Sequence, residues 1–107
     1  MLGGYIIATD LGSQSIKTAV FDTEGRLLST CRQSTKLHTL GPGAIVYDGD
    51  EFYKQTVEDI KLVLKNSRVF PDKVLVLSFM GMGGGIIGVD EKWQPTLNTT
   101  SRIPSFV

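Results

Sequence analysis

Asp10-Leu11-Gly12-Ser13-Gln14-Ser15-Ile16-Lys17 is a turn set between two strand patterns, and its reading decides the fold. Ahead of it, Tyr5-Ile6-Ile7-Ala8 is a short apolar run that reads as a buried strand. Behind it, from Ile16 to Asp22, the β-favouring Ile16, Thr18 and Val20 alternate with Lys17, Ala19 and Phe21, which reads as a second strand. So tight a connection suits a bound phosphate. Successive turn N–H groups can form a concave anion nest, Gly12 admits a close backbone approach, and the hydroxyls of Ser13 and Ser15 add donors without bulk. Lys17 contributes charge, and Asp10 is a hard oxygen ligand of the kind that holds magnesium, directly or through water, when the phosphates belong to a nucleotide. The plainer reading is a capped hairpin in which Asp10 makes a local turn hydrogen bond.

Further along, Asp22-Thr23-Glu24-Gly25 supplies a hairpin turn, and Arg26 to Lys36 reads as a third strand. Gly41-Pro42-Gly43 breaks that pattern. A helix is expected from about Asp48, which can cap the first N–H groups while Glu51 reaches back three residues later. Tyr53, Thr56, Val57, Ile60, Val63 and Leu64 fall on one helical face, Lys54, Glu58 and Lys61 lie elsewhere, and Lys65 and Arg68 suit the negative end of the dipole. After Phe70-Pro71, Val74-Leu75-Val76-Leu77 is too short for a helix and reads as a central parallel strand buried on both faces. Gly81-Met82-Gly83-Gly84-Gly85 follows, then a strand from Ile86 to Val89, a turn at Asp90-Glu91-Lys92 and a polar tail. The order predicts an α/β chain with a mixed sheet: three strands in hairpin succession, a crossover helix, a buried strand and a shorter one.

Composition narrows the function. The 107 residues carry 11 Lys+Arg against 11 Asp+Glu, a formal net charge of zero, so no electrostatic footprint for nucleic acid or an anionic membrane is present. With 41% apolar and 21% charged residues the chain reads as an ordinary globular domain, one compact unit. Cys31, the single cysteine, excludes an internal disulfide and a thiolate zinc site, and fits a reducing cytoplasm. Met1 to Thr9 has no positive residue and its apolar stretch stops at Asp10, unlike a signal peptide or membrane span. Asn98-Thr99-Thr100 spells a glycosylation acceptor, a pattern short enough to arise by chance.

The hairpin Asp10-Leu11-Gly12-Ser13-Gln14-Ser15 resembles that of the FGGY family of carbohydrate kinases, within the ribonuclease-H-like, actin-like ATPase superfamily. There an Asp-Leu-Gly-Thr-Thr-Ser type of hairpin binds ATP phosphates, and Lys17 stands where a basic residue is usual. Phe21-Asp22 through Gly25 resembles the family's second turn. Gly43 through Asp48 resembles the run into its first helix, with Ala44 replacing the usual tryptophan and Gly49 the usual proline. Gly81 to Asp90 is similar to its Gly-Gln-Gly-Asp-Gly substrate loop and the strand after it, with Met82 for the glutamine and Gly84 for the acidic residue. Asn98 to Arg102 resembles a Trp-x-Asp-x-Arg segment that keeps Arg102, with Asn98 and Thr100 in place of the tryptophan and aspartate.

The resemblance covers nearly the whole chain and implies the N-terminal part, residues 1–107, of a kinase domain I with a ribonuclease-H-like sheet. It implies ATP and Mg2+ as cofactors, held by Asp10, Gly12, Ser13, Gln14, Ser15 and Lys17, with Asp10 as the metal ligand. Met82, Gly83, Gly84 and Arg102 would belong to the sugar or polyol site. The general-base aspartate and the adenosine-binding half fall beyond residue 107, so this piece alone is expected to bind nucleotide weakly and to turn over nothing. The expected partners are the rest of the kinase chain, a small sugar or polyol and, in an assembled enzyme, a second copy as a homodimer. The departures at Met82 and Gly84 keep a second reading open, a non-catalytic nucleotide-binding or regulatory member of the superfamily.

Other motifs carry less. Gly83-x-Gly85-x-x-Gly88 spells a dinucleotide fingerprint, but a β-like run and a turn follow it instead of a helix, and no Gly-x-x-x-x-Gly-Lys run exists for a P-loop. His38, the lone histidine, is expected on the surface. Met80 and Met82 either line a pocket or fill gaps in packing. Trp93 marks a contact surface or covers a sheet edge, and Cys31 reads as a small buried hydrophobe.

Overall fold

The computed structural model describes residues 3–81, 88–94 and 99–100. Strands β1 (Tyr5–Leu11), β2 (Ser15–Asp22) and β3 (Leu27–Ser34) follow one another as antiparallel neighbours. A further hairpin, β4 (His38–Gly41) and β5 (Ala44–Tyr47), precedes helix α1 (Gly49–Ser67), and a 3-10 turn at Pro71–Lys73 leads into β6 (Val74–Gly81). A two-residue strand, β7 (Thr99–Thr100), closes the described chain. Two sheets result: β3-β2-β1-β6, in which β6 runs parallel to β1, and β4-β5-β7.

The expected single compact unit is corrected to two: one of Met1–Thr35 with Gln55–Gly81, the other of Lys36–Lys54 with Met82–Val107. In the first, the mixed α/β sheet carries its core between one face and the later turns of α1. Ile7, Val20, Val63 and Val69 are buried together, with Tyr5, Cys31, Ile60, Leu64 and Val74 packed against them. The register sets Ile7 opposite Val20 and Thr9 opposite Thr18, so period-two alternation sends these four to the covered face. Buried there, Thr18 donates its hydroxyl proton to Thr9 Oγ1 (3.2 Å).

The β2–β3 turn forms where expected. Gly25 sits at φ 83° and donates its N–H to the Asp22 carbonyl (3.1 Å), while Asp22 Oδ1 accepts from the N–H groups of Glu24 and Arg26, both at 2.9 Å. The Arg26 main-chain N–H holds the Asp22 carboxyl below its ordinary range; desolvation opposes it, and the Arg26 guanidinium and Glu24 N–H add to the lowering.

Helix α1 begins as predicted: Asp48 Oδ1 accepts from Asp50 N–H (2.9 Å) and Glu51 N–H (3.1 Å). Glu51, expected to complete a capping box, instead meets His38 Nε2 at 2.7 Å, a pairing made available by the hairpin that places His38 on β4. That hairpin was not foreseen, because Gly41-Pro42-Gly43 reads as a break when it is a turn between two four-residue strands. The predicted helical face needs two corrections. Tyr53 is exposed, and the buried face instead takes in Gln55 and Asp59 beside Thr56 and Val63.

The helix ends in a Schellman motif. Val69 N–H donates to the Leu64 carbonyl (3.2 Å) and Arg68 N–H to the Lys65 carbonyl (3.3 Å), with Val69 and Leu64 packed into the core. The residue after the cap is Arg68 at φ 58°, where glycine is usual. A side chain there costs about 1 kcal/mol, so Arg68→Gly is expected to raise unfolding stability by roughly that amount, read from the urea midpoint at unchanged slope.

The largest correction concerns β6. It is parallel, as predicted, but among the described residues it lies at the sheet edge: Leu75 is 65% and Met80 67% exposed, and Val76, Leu77 and Phe79 are exposed too. Its apolar run reports what the strand is built to meet, and the described residues do not supply that cover. Of the strand predicted from Ile86 to Val89 only Gly88 and Val89 are described, Val89 as an isolated bridge. Trp93, in the turn that Asp90 Oδ1 fastens through the N–H groups of Lys92 (2.8 Å) and Gln94 (2.9 Å), is 81% exposed and covers no sheet edge among the described residues. No helix of the described residues is long and apolar enough to cross a membrane.

Candidate functional site

The β1–β2 connection is held by its backbone. Gly12 N–H donates to the Ser15 carbonyl at 3.0 Å, and a Cβ at position 12 would lie 2.4 Å from that same oxygen. Glycine is therefore required sterically, for close backbone approach and not for an unusual dihedral. Asp10 and Lys17 are cross-strand partners in the β1–β2 register. Alternation puts both on the sheet face away from the core, where they line an open cavity of about 220 Å³ with Ala8, Ala19, Phe21, Thr30, Ser78 and Met80 among its walls.

Neither the Asp10 nor the Lys17 side chain makes a hydrogen bond or ion pair with another described residue. A carboxylate and an ammonium side by side on a small-residue floor can serve a ligand that is itself a metal-bound anion: the ammonium takes the anion and the carboxylate the cation. The local turn hydrogen bond of the plainer reading is absent for Asp10 among the described residues. No group of three His, Cys, Asp or Glu side chains able to cage a metal occurs among them either. The donor set therefore fits an ion that keeps most of its ligands as water and phosphate oxygen, which is magnesium's habit.

The other expected residues divide. Ser13 is half-buried and has an interaction partner, Gln14 is exposed, and Ser15 is buried at the start of β2. Met80 lines the cavity, in keeping with the pocket reading for it. Met82, Gly83, Gly84 and Arg102 lie outside the described residues. Cys31 is half-buried in the core cluster as expected; burial, with the nearby Asp59 adding, pushes its thiol up to about 11, so it stays protonated.

Thr35 and Gln55 went unnoticed in the sequence. Thr35, buried just past β3, donates its hydroxyl to the Gly12 carbonyl (2.8 Å) and its N–H to the Gln14 carbonyl (3.0 Å). Gln55, buried on α1, donates from Nε2 to the Ser34 carbonyl at 2.8 Å. No local pattern marks either residue, since the partners are 23 and 21 positions away.

The N-terminal domain of the FGGY family of carbohydrate kinases matches residues 5–101. A xylulose kinase of Staphylococcus epidermidis is 26% identical over 95 residues, which are 89% of this chain and 19% of that protein. The gluconate kinase of Lactobacillus acidophilus superposes with a TM-score of 0.80 at 18% identity, over 92% of this chain and 20% of its own. Plasmodium falciparum glycerol kinase, solved with ADP, gives 0.69 at 19% identity over 91% of this chain and 20% of its own. These structures share the fold, and the chain spans about a fifth of the length of each of the three.

Proposed function

Because the chain belongs to the FGGY family of carbohydrate kinases, through its N-terminal domain, we propose that it is the phosphate-binding part of an ATP-dependent kinase that transfers the γ-phosphoryl group to a hydroxyl of a small sugar or polyol. The observation that carries the reading is that the Asp10 and Lys17 side chains, unpaired among the described residues, line one open cavity. Relatives named for xylulose, gluconate and glycerol support the substrate class.

In this reading Lys17 takes the charge of the phosphate oxygens and the Gly12–Ser15 turn brings main chain close to them. Asp10 is the residue that would hold Mg2+, and the ion, when bound, would supply charge neutralisation for the phosphates. The work of this piece is placement: it fixes the phosphate chain against a rigid sheet so that an acceptor hydroxyl can approach in line. No described residue is assigned as the carboxylate that takes the acceptor's proton or as the adenosine site.

The test is calorimetric titration of ATP into the chain, with Mg2+ and with a chelator. Asp10→Asn is expected to weaken Mg-ATP at least about ten-fold, the scale of one lost charged ligand contact. In chelator the same variant should bind ATP no worse than the parent, since an anion beside the triphosphate has been removed. Lys17→Gln should weaken both. Equal affinities of Asp10→Asn and the parent for Mg-ATP would remove Asp10 from metal binding. In the intact protein, a polyol and ketose panel separates kinase from regulator: ATP-dependent phosphorylation lost in Asp10→Asn supports the enzyme, and none in the unmutated protein favours a nucleotide-binding regulatory role.

A further inference from the structure

A loop that binds phosphate must keep its carbonyl oxygens away from the ligand, because each carries partial negative charge. In the β1–β2 turn three such oxygens are taken by protein donors. Ser15's accepts from Gly12 N–H (3.0 Å), Gly12's from the Thr35 hydroxyl (2.8 Å) and Gln14's from Thr35 N–H (3.0 Å). Two of the three depend on one residue, which enters from the end of β3 and is itself buried. Its predecessor Ser34 is the cross-strand partner of Ser15, and the Ser34 carbonyl is held by Gln55 of α1 (2.8 Å). An unbroken series of hydrogen bonds therefore runs from the helix through Ser34 and Thr35 to the turn.

We propose that Thr35, backed by Gln55, is a positioning residue that turns the Gly12 and Gln14 carbonyls into the protein and so makes the β1–β2 turn selective for an anion. The inference rests on the phosphate reading of that turn. Thr35 touches no ligand in this account; it acts through the peptide units it orients. Freed of the hydroxyl, the Gly12 carbonyl loses its partner and can rotate toward the ligand side, where it repels a phosphate.

Thr35→Val is nearly isosteric, removes only the hydroxyl and keeps the N–H bond to Gln14. Thr35→Ser restores the donor without the methyl. Magnesium tripolyphosphate is the probe, because it reports on phosphate binding without the adenosine contacts, and amide NMR spectra of each variant establish that the chain is folded at the titration temperature. The expected result is a loss of affinity of about ten-fold in Thr35→Val, within the range for a buried acceptor left unpaired. Thr35→Ser should stay within about two-fold of the parent, and the shifts in Thr35→Val should centre on the amides of Gly12 to Ser15. A structural role alone would lower the unfolding midpoint of both variants and leave the affinity of the folded chain unchanged. Equal affinity of Thr35→Val and the parent overturns the proposal while the phosphate reading stands. Failure of the parent itself to bind magnesium tripolyphosphate overturns both.

Discussion

Asp59→Asn is expected to stabilise the folded chain at neutral pH, by on the order of 1 kcal/mol, because a neutral amide costs less to bury than a carboxylate that must ionise there. Asp59 is 0% exposed on the core side of α1, and neither carboxylate oxygen has a hydrogen-bond partner among the described residues. Burial raises its pKa above the ordinary 3.8; the neighbouring Cys31 thiol opposes that rise and the charge of Glu58 adds to it. The Cys31 thiol donates to the Asp59 main-chain carbonyl (3.5 Å), which leaves the carboxylate itself unserved.

The sign follows from proton binding. Between 3.8 and the higher folded value, the folded chain holds a proton that the unfolded chain has released, so stability falls as pH rises through that window and then levels. Below 3.8 both states are protonated and this penalty vanishes. Urea midpoints of parent and Asp59→Asn should therefore converge in acid and separate toward neutrality. Parallel curves across that range would show that Asp59 is not the group responsible. Asp59→Ala, which removes the polar group at the cost of a small void, should also flatten the curve.

Gly12→Ala is expected to cost about 1–3 kcal/mol, the scale of overpacking at a well-fitted position. The added methyl would sit 2.4 Å from the Ser15 carbonyl oxygen, which is main chain and cannot swing aside as a flexible side chain does. Either the 3.0 Å Gly12–Ser15 bond opens or the strands re-register, and both displace the turn from the Asp10–Lys17 pair. Nucleotide affinity should accordingly fall further than the stability change alone explains, when titrated under conditions where circular dichroism shows the variant folded. Unchanged affinity would separate the turn from the ligand.

Much of the first sheet was legible because its cues are local. Tyr5–Ala8, the alternation from Ile16 to Val20, and Asp22 with Gly25 each specify an element within a few residues, and the cap at Asp48 started the helix where expected. Asp10 and Lys17 were each singled out in the sequence for their charge, and the short turn between the strands sets them opposite one another. What escaped depends on distance in sequence. Thr35 reaches back 23 residues to its turn, and Gln55 and Asp59 lie inward because of what α1 packs against. Glycine and proline at 41–43 signal a turn without telling whether strands flank it. For β6 the pattern revealed a strand made for cover on both faces, and composition alone does not say which residues provide that cover.

Produced on its own, the 107-residue piece carries a hazard in that same strand. Val74-Leu75-Val76-Leu77-Ser78-Phe79 is a six-residue window of high β-propensity without charge or proline, and it lies along a sheet edge that no described strand occupies. Such a segment is a template for cross-β stacking of identical chains. Asp72 and Lys73 act as charged gatekeepers at its start, while Met80 and Gly81 leave the far end unguarded. Edge-to-edge pairing of copies is therefore a route to aggregation for the purified chain.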